Sequence, residues 1–279
     1  MNKSRSLWIL IGMVCLFAFL TVSGDASPAI GAELTPGEML EQAWQNAQEA
    51  GSYRFLSDID QLLIPRPVPE MIGQQESTLN LTSDGAVILP DQAYLEMGVA
   101  DDQNSRSVVI LRDGQQSFML QNGELKPVEN VLNLASQTND MLGYLAAANQ
   151  VTLLNPPSGH PNLQRYGFII DGPQYAEYVR LQAEAALKAE PGAPQGLSIK
   201  PMPVLEQLSG QGELWVNEAG LPVREVIELE IPEVNPQYSA RISITANFSA
   251  YGKVDALPTA VQDAGGTWRL EGSLSDEVF

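Results

Sequence analysis

The stretch LSGQGELWVNEAGLPVREVIELEIPEVNPQYSARISITANFSAYG, Leu208 to Gly252, decides the fold. In its middle, Leu221, Val223, Glu225, Ile227, Leu229 and Ile231 share one side of an extended chain, and Pro222, Arg224, Val226, Glu228 and Glu230 share the other. A period of two with one apolar side describes strands covered on one face and wet on the other, as antiparallel sheets allow. The stretch reads as three long strands, the first two joined by a turn from Asn217 to Gly220.

The same pattern recurs upstream. SYRFLSDIDQLLI from Ser52, QQESTLNLT from Gln74, AVILPDQAYLEMGV from Ala86, SRSVVILR from Ser105, QQSFMLQ from Gln115 and ELKPVE from Glu124 read as strands. Turns are expected at Ser83-Asp84-Gly85, Asp113-Gly114 and Asn122-Gly123, which makes an antiparallel meander. VTLLNPPSGHPNLQRYGFIID from Val151 reads as a strand pair around a Pro/Gly loop.

Helices frame these strands. TPGEMLEQAWQNAQEAG opens with Thr35 as a cap, Pro36 at the first helical position and Glu38 closing a capping box, and Gly51 stops it. Met39, Leu40, Ala43, Trp44 and Ala47 fall on one face, so this helix must lie on something apolar. Two more helical segments are expected, from Thr138 to Asn149 and from Pro173 to Glu190. The second carries Tyr175, Tyr178, Val179, Gln182 and Ala186 at helical spacing, a shallow Ala- and Tyr-rich face.

The N-terminus has the layout of an export signal. Lys3 and Arg5 precede an apolar run from Leu7 to Val22, and a small-residue stretch follows to Ala32. Sixteen residues at about 1.5 Å each cover roughly 24 Å, short of the roughly 30 Å hydrocarbon core. Cleavage is therefore favoured over a membrane anchor, with candidate sites after Gly24, Ala26 and Gly31. The expected organisation is a signal peptide or signal anchor at 1–32, one domain at 33–260 and a flexible, Gly-, Ser- and acid-rich tail at 261–279.

Composition narrows the chemistry. Cys15 is the sole cysteine and lies inside the signal run, so the mature chain can form no disulfide and no thiolate metal site. A net charge of -19 disfavours nucleic acid and suits solubility outside the cell. His160, the only histidine, sits in a Ser-Gly-His-Pro-Asn loop, which makes a Ser-His-Asp or Cys-His arrangement improbable. Asp58 and Asp60 share a strand face as a hydrolase pair could, but a solvated face explains them better. The chain is read as non-catalytic.

Gly212, Leu214, Trp215 and Val216, then Gly220 to Arg224, then Phe248, Ser249, Tyr251 and Gly252 resemble the LolA/LppX-like superfamily of exported lipoprotein and lipid carriers. With the order of elements, the resemblance spans about 35–258. The family's lipidated members carry a cysteine at the signal cleavage point, and this chain does not. The resemblance implies an α+β fold, a strongly curved antiparallel β half-barrel with helices covering its concave face over an apolar cavity for acyl chains.

On that reading the cavity-lining candidates are Trp44, Phe55, Ile59, Leu89, Phe118, Tyr144, Phe168, Tyr178, Trp215, Ile227, Ile242 and Phe248. The ligand is a lipid or acylated molecule. The chain is expected to work as a monomer in the cell envelope or outside the cell, with membrane contact and without cofactor, metal or nucleic acid. The alternative is an envelope interaction or sensor module of the same fold, with a packed core and no cargo.

Overall fold

The structure, a computed structural model, describes residues 34–101, 105–114, 116–121, 123–128, 141–189, 196 and 198–274. The expected signal segment, the start of the second expected helix at 138–140 and the last five residues lie outside the described residues.

Helix α1 (Pro36–Glu49) begins as its sequence dictates. The Thr35 backbone N–H donates to Glu38 Oε2 at 2.7 Å, and the Glu38 N–H donates back to Thr35 Oγ1 at 3.3 Å. Gly51, at φ 74°, turns the chain out of the helix into a conformation that favours glycine. Strands β1 (Ser52–Pro65), β2 (Ser77–Ile88), β3 (Gln92–Asp101), β4 (Ser105–Asp113), β5 (Gln116–Gln121) and β6 (Glu124–Pro127) follow as a meander. Then come β7 (Ala148–Leu154), β8 (Gln164–Asp171), helix α2 (Gly172–Ala189) and a single helical turn, α3 (Pro203–Glu206). Strands β9 (Ser209–Val216), β10 (Pro222–Asn235) and β11 (Tyr238–Ser249) are the three read from the opening stretch.

All strands join one open antiparallel sheet, in the order β12-β13-β6-β5-β4-β3-β2-β1-β11-β10-β9-β8-β7, where β12 is Thr259–Gln262 and β13 is Trp268–Glu271. Two meanders therefore meet at one long-range seam, the pairing of β1 with β11 from Arg54↔Ser249 to Pro65↔Tyr238. Alternation sets the two faces. On β1, Phe55, Ser57, Ile59, Gln61 and Leu63 are buried, while Leu56, Asp58 and Asp60 are exposed. Helices α1 and α2 pack on the first of these faces, where Leu40, Ala43, Ala47, Ala176 and Val179 join the sheet side chains in one large apolar cluster.

Four expectations change. The turn at Ser83-Asp84-Gly85 does not form, and β2 runs straight through it to Ile88. Gly85 is instead a seat for an aromatic ring: a Cβ there would lie 2.3 Å from Phe55 Cζ on the neighbouring strand. The chain reverses after Ile88, through Leu89-Pro90-Asp91. The segment expected as a helix to Asn149 is, in its described part, a short 3-10 turn (Gly143–Ala147) that has no side-chain cap and gives way to β7 at Ala148.

In β10 the register shifts between Pro222 and Arg224, which buries Pro222 and starts the clean alternation only at Glu225. The expected flexible tail from 261 instead completes a β12–β13 hairpin over 259–271. Trp268 and Leu270 fold that hairpin onto a second apolar cluster of Tyr94, Val109, Leu111, Phe118 and Leu125, on the face of the sheet away from the helices. Apolar residues spaced two apart in a Gly- and Ser-rich background carry this strand, where composition alone suggests disorder.

Two substitutions test this account. Gly85→Ala must displace a fully buried Phe55 ring and is expected to lower stability by about 1–3 kcal/mol. Trp268→Ala removes the ring whose centroid lies 4.7 Å from that of Phe118 and is expected to cost about 2 kcal/mol. Urea unfolding followed by tryptophan fluorescence and circular dichroism reads both; a flexible tail would leave Trp268→Ala as stable as the parent.

Candidate functional site

The apolar layer between the sheet and its helices is the candidate site. Its floor is built by register. Phe168, Gly212, Ile227, Ile244, Ile59, Leu81 and Val99 stand opposite one another in turn across β8, β9, β10, β11, β1, β2 and β3. A Cβ on Gly212 would sit 2.4 Å from Phe168 Cζ, so this glycine, like Gly85, leaves space that a phenyl ring fills. The helices make their main sheet contacts with β1, β7, β8 and β10. The apolar floor extends beyond them, through Leu79, Leu81, Leu95, Met97 and Ile110 on β2 to β4.

The next row is different in kind: Tyr166, Leu214, Glu225, Ala246, Ser57, Ser83 and Met97. Ser57 and Ser83 hydrogen-bond through their hydroxyls. Glu225 is 1% exposed, a carboxylate in the middle of the floor, and its charge acts on Tyr175 of α2. Tyr175 stacks on Tyr144 with centroids 4.8 Å apart and on Tyr178 at 6.5 Å, and Trp44 of α1 meets Tyr178 edge-on at 6.1 Å. Burial pushes the Tyr175 phenol well above the usual tyrosine range, and the neighbouring Tyr144, Tyr178 and Glu225 push it the same way. Asn46 of α1 ties the roof to the floor: its Nδ2 donates to the Gly220 carbonyl in the β9–β10 turn at 3.0 Å.

Seven of the residues singled out from the sequence, Phe55, Ile59, Tyr144, Phe168, Ile227, Ile242 and Phe248, are buried in this cluster, and Trp44, Leu89 and Tyr178 pack half-buried against it. Phe118 does not join them; it belongs to the second cluster on the other face. Nor does Trp215, because the buried Leu214 and Val216 on either side force it outward. There the Arg224 guanidinium lies 5.3 Å from the Trp215 ring centroid, and the indole N–H donates to Glu213 at 3.5 Å.

Six buried polar residues among those described escaped the candidate set: Ser52, Arg54 and Ser57 on β1 and, with the longest uncharged or acidic side chains, Gln61 on β1, Gln182 on α2 and Glu225 on β10. The signal of the last three was in the pattern, each being polar at an apolar phase. Gln61 falls between Ile59 and Leu63, and Gln182 falls three residues after Val179.

Over β8 to β11 and β1, away from the second apolar cluster, the other face is mainly polar. Two hollows of about 370 and 780 Å³ open there, sharing Ile169, Gln211 and Glu228. Asp60 is exposed on this face and accepts a hydrogen bond from Asn80. Among the described residues no cluster of three or more histidine, cysteine or acidic side chains is placed to hold a metal, and no helix is long and apolar enough to cross a membrane.

Compared by sequence, the chain matches no family model and no curated protein. Solved structures do resemble it. Lipoprotein LppX of Mycobacterium tuberculosis aligns over 80% of this chain and 96% of its own, at 12% identity and a TM-score of 0.42. LprF of Mycobacterium bovis aligns over the same shares at 10% identity and a TM-score of 0.43. A DUF1329 family protein from Desulfovibrio piger aligns over 76% of this chain and 90% of its own, at 8% identity and a TM-score of 0.24. At such identities and TM-scores, function has to come from this chain's own residues.

Tyr175 gives the layer a measurable signature. Because its folded pKa is raised, the folded chain keeps a proton that the unfolded chain releases near pH 10. Its contribution is therefore complete below about pH 10 and is lost as pH rises toward the folded value. Tyr94 and Tyr166 are also raised, chiefly by burial, so the difference between wild type and Tyr175→Phe isolates the effect. Urea midpoints between about pH 9 and 11 are expected to fall more steeply in wild type than in the variant; parallel profiles would remove Tyr175 from the buried layer.

Proposed function

We propose that the chain is an exported, non-catalytic carrier that holds a lipid or acylated ligand between the helices and the concave, apolar side of its sheet. The observation that carries this reading is the mismatch between floor and roof. An apolar floor at least seven strands wide lies under helices that contact chiefly β1, β7, β8 and β10 and that set the small Ala43, Ala47 and Ala176 among Leu40, Tyr175 and Val179. Small side chains on a roof leave room when the roof lifts, and an acyl chain suits such room. Each buried CH₂ contributes about 0.8 kcal/mol, so a sixteen-carbon tail offers roughly 10 kcal/mol before ordering costs. Export is supported by the basic residues, apolar run and small-residue stretch of the first 32 positions.

A second reading, the same fold as an envelope interaction module with a packed core, is favoured by a different observation. The floor side chains Phe168, Ile227, Ile244, Ile59 and Leu81 are all 7% exposed or less, so in this conformation they pack on protein. Titrating the protein with saturated fatty acids of 12, 14, 16 and 18 carbons separates the two. The carrier reading expects affinity to rise up to roughly fourfold per added CH₂ until the layer is full, and expects native mass spectrometry to find co-purifying lipid. A protein that arrives empty and binds none of the four is the packed-core module.

A further inference from the structure

The apolar layer contains two side-chain amides whose oxygens meet no hydrogen-bond donor among the described residues. Gln61 is 1% exposed and stands on the helix-facing side of β1, with Ile242 and Leu79 opposite it on the neighbouring strands. Its Oε1 has no hydrogen-bond partner among the described residues. Gln182 is 4% exposed and lies on the α2 face that carries Tyr175 and Val179. Its Oε1 is unpaired as well. The two come from opposite sides of the layer, one from the floor and one from the roof.

A buried amide without a partner destabilises the fold that contains it, and leucine or methionine would fill either place without that penalty. The polar neighbours do not share the fault. Ser57 is matched by Ser83, and Tyr175 by Tyr144. An amide oxygen in this state accepts from a hydroxyl or an N–H, neither of which a plain hydrocarbon chain can supply.

We propose that the ligand is an acyl chain bearing a hydroxyl or amide N–H in the part that enters the apolar layer, with Gln61 Oε1 as its acceptor on the floor and Gln182 Oε1 as a second acceptor on the roof. The proposal rests on the carrier reading and sharpens it from lipid in general to a functionalised chain. Selectivity follows from the same chemistry. A site built to hydrogen-bond a hydroxyl discriminates against the analogue that lacks it, because the amide is then left buried and unmatched.

The test uses the full chain, stripped of bound lipid, and four probes: octadecanoate, 2-hydroxyoctadecanoate, 12-hydroxyoctadecanoate and N-octadecanoylglycine. At least one of the last three is expected to bind about fivefold or more tightly than octadecanoate. Gln61→Leu is expected to bring that probe to parity with octadecanoate while melting no lower than wild type. Gln61→Met repeats the measurement with a more adaptable side chain.

Three results would overturn the assignment: equal binding of all four probes by wild type, an unchanged preference in both variants, or a melting point lowered by several degrees in both. The first of these leaves the carrier reading intact. Binding of none of the four sinks the carrier reading itself, and this proposal with it.

Discussion

An antiparallel sheet that is apolar on one side has to keep that side from water, and here the side is at least seven strands wide. The rest of the molecule answers this constraint. The seam between β1 and β11 turns two meanders into one surface. Phe55 and Phe168 level that surface by lying over Gly85 and Gly212, where any side chain would collide with the rings. Helix α1 is fixed at its start by the Thr35–Glu38 box and along its length by Asn46, which holds the β9–β10 turn. The hydrophobic term decides the arrangement, since burial of this many aliphatic and aromatic side chains far outweighs any hydrogen bond that trims it.

What the sequence made legible is what alternation and capping write locally. β1, β4 and β9 to β11 follow directly from period-two patterning, and α1 from its cap and stop. Gly85 misled because Ser-Asp-Gly is good turn chemistry; only the ring of Phe55, thirty residues away, makes it strand. β13 was hidden because a four-residue strand in polar surroundings has too few residues to show a period. Ten of the twelve candidate side chains reach the apolar layer or pack on it. Phe118 and Trp215 do not, and both failures are phase errors, since a shift of one residue moves a side chain through the sheet. The fully buried polar side chains were not picked out because pattern reading treats a polar residue at an apolar phase as noise.

A sheet of this size, with no cysteine after Cys15, also has to protect its edges. β12 is only four residues long, and β7 carries an irregular register between Asn149 and Thr152 with Gln150 at φ 53°. Short and kinked edges are poor templates for pairing with another chain. The second apolar cluster serves the same end by another route. Trp268 and Leu270 draw the last hairpin over Tyr94, Leu111 and Phe118, so the narrow end of the meander has covered side chains as well as paired backbone.

The polar content of the apolar layer is then the feature that stability alone does not explain. Matched groups, such as the Ser57 and Ser83 hydroxyls or the stacked Tyr144 and Tyr175, specify one packing and hold helix to sheet. The side-chain oxygens of Gln61 and Gln182, by contrast, meet no donor among the described residues. Chains under selection for folding alone lose such residues easily, since a single substitution to leucine or methionine removes the penalty. Under the proposed carrier reading, their presence on both sides of one layer is what a surface shaped for a ligand would show, and the unmet acceptors would then describe that ligand's chemistry more closely than the apolar floor does.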